Sequence, residues 1–323
     1  MEDGKRTAAP SSSSQKRAVI DIGTNSVKLL VAEISAGQIR PLHEASKQTR
    51  LGKGFYEAHQ LQPDAIAQTA DAVKTFAAAA RAHGAETIHV IATSAARDAT
   101  NPRDLTDAVA HASGLAVEII TGEQEADLAF RGVTTDPTFD AHPLLLLDIG
   151  GGSTEFILGH GAQKDFCHSF PLGSVRLLEK FPISDPPAPA ELAACRADVR
   201  NFLQREVRPK LAAELRYEFK FDRVILVGTG GTTTILARME AQIAGFDRDR
   251  IEAVRLSAAG IRAHVERLWS FPLAERRQII GLPPKRADVI LTGAVIYEAV
   301  MEEFGFTELR VSTRGLRFAA VME

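Results

Sequence analysis

Several residue types that would fix the class of this protein at once are scarce in its sequence. Only two cysteines occur among 323 residues, Cys167 and Cys195, which excludes a secreted disulfide scaffold and a cysteine zinc site. The longest run of pure leucine, residues 144–147, is far too short to span a bilayer. Neither sign of charge dominates, since the net charge is −3 at pH 7. We therefore expect a cytoplasmic protein that binds neither nucleic acid nor a membrane.

What the sequence does contain is an α/β pattern with enough residues for two domains. Residues 1–17 carry Pro10, four consecutive serines and no apolar segment, so we expect a disordered tail rather than a signal peptide. Short apolar runs that are typical of buried strands alternate with helical stretches. The predicted strands are 18–22, 29–34, 88–93, 117–120, 144–149, 155–158 and 224–227, and the clearest helices are 64–83 and 101–112.

An internal repeat organises the rest of the chain. Asp-Ile-Gly ends an apolar run at Asp21 and again at Asp148, and each is followed by a turn of glycine, serine and threonine. A second and a third strand-like run follow each turn, so one strand–turn–strand–turn–strand unit occurs twice. Two similar halves predict a ligand held in the cleft between them.

The chemistry of these turns favours a phosphate ligand with a divalent cation. Small residues allow backbone N–H groups to approach an anion closely, and an aspartate at a strand end suits a cation with oxygen ligands. A third glycine turn, residues 228–233, follows a strand and leads into a helix expected at Ile235, which predicts another anion site. One such turn alone is more simply a tight hairpin, but three in this order favour a phosphate-binding cleft.

The ordered set of motifs resembles the exopolyphosphatase / guanosine pentaphosphate phosphatase (Ppx/GppA) family. The matching segments begin at Asp21, Arg50, Ala92, Gly122 and Asp148 and continue through Pro171, Gly228, Arg286 and Arg314. The resemblance covers nearly the whole folded chain and is closest to the short, two-domain members. It implies two actin-like (ribonuclease H-like) domains with a cleft between them, as in the actin / sugar kinase / Hsp70 superfamily. We expect domain I at 18–121 plus 306–323 and domain II at 122–305.

Glu125 is the predicted catalytic base because it matches the family's glutamate before a small residue, here Ala126. Thr121 and Gln124 have the spacing of a capping box, which puts Glu125 in the first turn of a helix. The positive end of the helix dipole is expected to favour its ionised form. Glu123 is the competing candidate for the base. Without the resemblance to the family, Glu125 is more simply explained as a solvated carboxylate on the surface of a helix.

The resemblance and the turns together assign the other site residues. Arg97 resembles the family's phosphate-contacting arginine, and Asp148, Glu155 and Asp21 are expected to hold Mg²⁺, although Asp21 is equally well explained as a cap of its own turn. The residues expected to bind substrate phosphates are Asn25, Ser26, Lys28, Gly151, Gly152, Ser153, Thr154, Gly230, Gly231 and Thr232.

The reaction that the resemblance implies is magnesium-dependent hydrolysis of the terminal phosphate of inorganic polyphosphate. Guanosine pentaphosphate remains open as an alternative substrate. A more distant alternative is an actin-like ATPase or sugar kinase, but the segment from Gly122 to Ala126 supplies a water-activating acid rather than a sugar site. The sequence leaves the oligomeric state open, with a homodimer among the alternatives.

Overall fold

The computed structural model describes residues 14–139, 142–211 and 224–323. Most of the predicted tail, residues 1–13, lies outside the described residues, but its last part does not. Strand β1 begins at Gln15, so residues 15–17 belong to a sheet rather than to the tail. No helix within the described ranges is long and apolar enough to cross a membrane.

The first sheet has five strands in the order β3-β2-β1-β4-β5. Strands β1, β2 and β3 form antiparallel hairpins, whereas β4 pairs in parallel with β1 and β5 pairs in parallel with β4. Parallel strands need crossover connections, and helices supply them here. The strands are β1 (Gln15–Ile22), β2 (Ser26–Ser35), β3 (Gln38–Gln48), β4 (Thr87–Ala92) and β5 (Glu118–Ile119).

The second sheet repeats this order and adds one strand at the edge. Its order is β10-β11-β9-β6-β7-β8, so β6, β7, β8, β9 and β11 correspond to the five strands of the first sheet. The pairing directions also match, with β10 as an antiparallel addition to β11. The strands are β6 (Leu144–Ile149), β7 (Thr154–His160), β8 (Gln163–Phe170), β9 (Ile225–Thr229), β10 (Arg255–Ser257) and β11 (Glu308–Val311).

Helices cover the outer faces of both sheets. In the first half, α1 begins with Pro63 in its first turn and buries Ile66, Val73 and Phe76 against the sheet, as the apolar spacing predicts. The helices of this half are α1 (Pro63–Ala82), α2 (Ser94–Arg97) and α3 (Pro102–Ser113). Those of the second half are α5 (Ser174–Lys180), α6 (Pro189–Phe202), α7 (Gly230–Glu240), α8 (Arg248–Glu252), α9 (Ala258–Ser270), α10 (Leu273–Arg276) and α11 (Ile290–Phe304).

Two helices cross between the sheets and join the halves. Helix α4 (Gly122–Val133) packs Phe130 on the second sheet and Leu128 into the cluster that covers the first sheet, where it meets α12 (Leu316–Ala320). At the crossing, a Cβ on Gly132 would lie 2.1 Å from the carbonyl oxygen of Gly315. Glycine is therefore required for this close approach between α4 and the segment before α12.

The predicted α/β class with two similar halves is confirmed by the two sheets. The domain limits remain a prediction. Strand pairing changes one of them, the start of the C-terminal segment that was expected to belong to domain I. Strand β11 pairs with β9 in the second sheet, although residues 306–323 were expected in domain I. Only the segment that includes α12 packs on the first sheet, so the chain returns to the first half after β11. The helix expected at Ile235 begins earlier, at Gly230.

Candidate active site

The cleft between the sheets brings most of the predicted site residues together. The two Asp-Ile-Gly turns face each other with the same geometry, because Gly23 N–H donates to Ser26 O at 3.0 Å and Gly150 N–H donates to Ser153 O at 2.9 Å. The predicted residues that line this cavity are Asp21, Asn25, Ser26, Lys28, Glu125, Asp148, Gly151, Gly152, Ser153, Glu155, Gly231 and Thr232.

Three predicted residues lie elsewhere. Arg97 reaches the site through Glu125, as described below. The Thr154 side chain is fully buried and its hydroxyl donates to the carbonyl oxygen of Leu172, so it faces the protein interior instead of the cavity. Gly230 lines an adjoining part of the cleft.

Glu125 combines burial with a paired cation. The Thr121 hydroxyl accepts from Gln124 N–H and the Gln124 side chain accepts from Thr121 N–H, which confirms the capping box that starts α4. Arg97 donates to Glu125 at 2.9 Å and to Ile120 O at 3.2 Å. Burial raises the pKa of Glu125 to about 7 even though Arg97 lowers it. The expected preference for the ionised form is thus outweighed by desolvation.

Three further carboxylates lie around the same cavity, of which Asp21 and Glu155 are buried and Asp148 is half-buried. Burial raises the pKa of Asp21, Asp148 and Glu155, and repulsion from neighbouring carboxylates adds to the effect at Asp148 and Glu155. Asp21 Oδ1 has no hydrogen-bond partner, and the Lys28 ammonium lies 3.9 Å from the other oxygen of Asp21. Buried anions that repel one another favour a bound cation.

The two halves of the repeat differ in the charge that faces the aspartate. Asp21 pairs across its hairpin with Lys28, whereas Asp148 pairs with Glu155 at the corresponding position. Like charges opposite each other destabilise a hairpin, and only the second half has two acids there. Glu155 also accepts a hydrogen bond from Ser169 at 2.7 Å. The arrangement therefore favours a cation on the side of the second half.

The glycine turn of the second half touches the first half directly. A Cβ on Gly152 would lie 2.3 Å from Ser94 Oγ and 3.0 Å from Thr24 Oγ1. Ser94 Oγ is buried and has no hydrogen-bond partner, and both residues line the cavity together with Thr93 and Ser174. The sequence reasoning did not assign these four hydroxyl residues to the site. All four lie within the matching segments that begin at Asp21, Ala92 and Pro171, and this position was the signal that could have identified them.

The cleft extends beyond the carboxylates into a wider space. Its walls include Ile235, Phe246 and two adjacent prolines, and cations lie along it. The cations are Lys28, Arg238, Lys285, Arg286 and Arg317. The site is thus a small polar cavity with acidic and glycine-rich walls that opens into a partly apolar, basic channel.

Two α/β halves with facing glycine turns and a shared carboxylate cavity define a two-domain phosphate-binding protein of the actin-like type. The chain belongs to the Ppx/GppA phosphatase family, which it matches over residues 30–322. The predicted family and the fold of two actin-like halves are confirmed by this match and by the solved structures described next.

Both curated and solved relatives match the chain over almost its full length. Exopolyphosphatase 2 of Mycobacterium tuberculosis is 35% identical over 309 residues, which cover 91% of this chain and 94% of that protein. The structure of the Aquifex aeolicus Ppx/GppA family member has a TM-score of 0.77 at 30% identity and covers 95% of this chain and 96% of that one. An exopolyphosphatase from Cytophaga hutchinsonii has a TM-score of 0.84 at 27% identity, with 95% and 97% covered.

Proposed function

We propose that this protein is an exopolyphosphatase that releases orthophosphate from the end of inorganic polyphosphate. The observation that carries the proposal is the buried Glu125 carboxylate, which Arg97 holds at 2.9 Å at the wall of a cavity lined by phosphate-binding turns. A carboxylate with a pKa of about 7 is suited to accept a proton near neutral pH. Relatives that are 35% and 27% identical to this chain are named exopolyphosphatases.

The reaction begins with the terminal phosphate in the small cavity and the remaining chain in the basic channel. Gly151, Gly152 and Ser153 line this cavity, and their backbone N–H groups and the Ser153 hydroxyl would donate to phosphate oxygens. The cations of the wider cleft neutralise the following phosphates. This division explains why a polyanion suits a protein with a net charge of −3.

The chemical step is an in-line attack by water on the terminal phosphorus. Glu125 accepts a proton from the water as its oxygen forms the new P–O bond, and the bridging oxygen leaves with the electron pair of the broken bond. Arg97 orients the Glu125 carboxylate and keeps part of it ionised. Ser94 and Asn25, whose side-chain donors Oγ and Nδ2 have no partner in the protein, are suited to donate to the transferring phosphate.

The donor set of the cavity fits Mg²⁺. Carboxylate oxygens are the ligands that Mg²⁺ prefers, and this ion commonly uses one or two carboxylates with water and substrate phosphates. No group of three histidine, cysteine, aspartate or glutamate residues in the described part of the chain could hold a metal ion together. Asp148 and Glu155 would therefore hold the ion as a pair, and the unpartnered Asp21 Oδ1 would contact it through a bound water. When bound, Mg²⁺ supplies charge neutralisation at the phosphoryl oxygens.

Guanosine pentaphosphate is the second candidate substrate. The apolar walls of the wider cleft, with Phe246 and adjacent Pro283 and Pro284, would accommodate a planar base and ribose better than a bare phosphate chain. The same catalytic cavity would then hydrolyse the terminal phosphate of the nucleotide. The two candidate substrates therefore differ in what would occupy the wider cleft, which is the rest of the phosphate chain for polyphosphate and the base and ribose for guanosine pentaphosphate.

The test is orthophosphate release from polyphosphates of graded length, with guanosine pentaphosphate and ATP measured in parallel and Mg²⁺ present. We expect the highest kcat/KM with polyphosphate, because each added phosphate meets another cation of the channel. Faster release from guanosine pentaphosphate would reverse the order of the two substrates. Absence of phosphate release from either, with phosphorylation of a sugar by ATP, would overturn the proposal.

A further inference from the structure

Helix α5 belongs to the second half by its chain connections but contacts the first half through its side chains. The Glu179 carboxylate accepts from the backbone N–H groups of Gly54 and Tyr56 in the first half, the latter at 3.2 Å. Arg176, one turn earlier, lies on the same face of the helix. This face therefore forms a contact between the two halves at the edge of the catalytic cleft.

Arg176 makes three contacts there, each with a different part of the site. Its Nε donates to the carbonyl oxygen of Gly152 at 2.9 Å, and its Nη2 donates to Asp98 at 3.2 Å. Its guanidinium carbon lies 4.2 Å from the centre of the Tyr56 ring. Gly152 belongs to the phosphate-binding turn of the second half, whereas Asp98 and Tyr56 belong to the first.

The contact with Asp98 connects Arg176 to the proposed base. Asp98 lies 3.7 Å from Nε of Arg97, whose Nη1 donates to Glu125 at 2.9 Å. A single guanidinium thus ties the turn that holds the substrate phosphate to the arginine that orients the base. The two ends of this link lie in different halves, at Gly152 and at Asp98, so the link would break if the halves moved apart.

We propose that Arg176 is a positioning residue that couples closure of the two halves to the alignment of Arg97 with the glycine turn at Gly152. This inference rests on the proposed hydrolysis at the same site. The guanidinium is suited to the task because its planar donors engage two acceptors in fixed directions and its face stacks on Tyr56. A lysine has neither property.

The test compares Arg176→Met and Arg176→Lys with a matched control, Arg200→Met, which removes an ion pair to Glu302 on the outer surface of the second half. Misalignment of reacting groups costs up to about a hundredfold in rate. We expect Arg176→Met to lower kcat at saturating polyphosphate by roughly tenfold to a hundredfold. Arg176→Lys should recover part of this loss, and Arg200→Met should match the wild type.

A double-mutant cycle with Asp98→Asn separates positioning from general stability. If Arg176 acts through Asp98, the double variant should lose little more kcat than Arg176→Met alone. Additive losses, or a lower melting temperature with kcat and KM unchanged, would overturn the inference. Wild-type protein that releases no phosphate would instead refute the proposed function, so the two failures are distinguishable.

Discussion

Removal of the Arg97 guanidinium should move the pH dependence of the reaction. In the structure, Arg97 Nη1 lies 2.9 Å from Glu125 Oε2, and both side chains are largely buried. Arg97 lowers the pKa of Glu125, but burial still leaves that pKa at about 7. Arg97→Met preserves most of the side-chain volume and removes the charge, so the pKa of Glu125 should rise.

The size of this rise follows from the geometry. A cation within hydrogen-bond distance lowers the pKa of a carboxyl group by about 1 to 3, so the pKa of Glu125 in Arg97→Met should lie between about 8 and 10. A general base acts in its ionised form, and activity therefore increases as pH rises through this pKa. At pH 7 the ionised fraction would fall from about a half to between about a tenth and a thousandth.

The assay is kcat/KM for phosphate release as a function of pH, with Arg97→Lys as the charge-preserving control. We expect the acid limb of Arg97→Met to move to higher pH, whereas that of Arg97→Lys stays near the wild type. Both variants lose the planar guanidinium of Arg97, so the maximal kcat/KM at high pH should be lower in both than in the wild type. A lower plateau for Arg97→Met with its acid limb unmoved would refute the electrostatic reasoning.

Three other predictions test separate parts of the account. Thr121→Ala removes the capping box of α4 and should lower the free energy of unfolding by about 1 kcal/mol in urea denaturation. Gly152→Ala puts a Cβ 2.3 Å from Ser94 Oγ and should lower kcat/KM, whereas Gly245→Ala, whose Cβ meets nothing within 4 Å, should not. Asp148→Asn removes one of the carboxylates that line the cavity and should raise the Mg²⁺ concentration needed for half-maximal phosphate release. An unchanged Mg²⁺ requirement would contradict the assignment of Asp148 as a ligand.

Local sequence patterns predicted the framework of the fold and much of the site. Each Asp-Ile-Gly turn lies between two strands that are neighbours in sequence, so the hairpins at Asp21 and Asp148 follow from short-range pairing. The capping box at Thr121 is local as well and fixes the start of α4. Because these elements carry most of the site residues, the cavity could be largely assembled from the sequence.

Contacts between distant segments could not be predicted in this way. The meeting of Ser94 with Gly152 and of Arg176 with Asp98 depends on how the halves close, which no local pattern encodes. Strand β11 belongs to the second sheet because it pairs with β9. Its four residues contain no motif that would indicate this partner from the sequence. The pKa of Glu125 was misjudged because the helix position is visible in the sequence but the burial is not.

The most direct test of the central claim is the initial rate of orthophosphate release from polyphosphate by the wild type, Glu125→Gln and Glu123→Gln. Glu125 is buried at the cavity, whereas Glu123 lies two residues earlier on the same helix and is exposed. With Glu125 as the base, we expect rapid release by the wild type and by Glu123→Gln, and a loss of about a hundredfold or more in Glu125→Gln. Equal rates for the wild type and Glu125→Gln would contradict the assignment of Glu125 as the base.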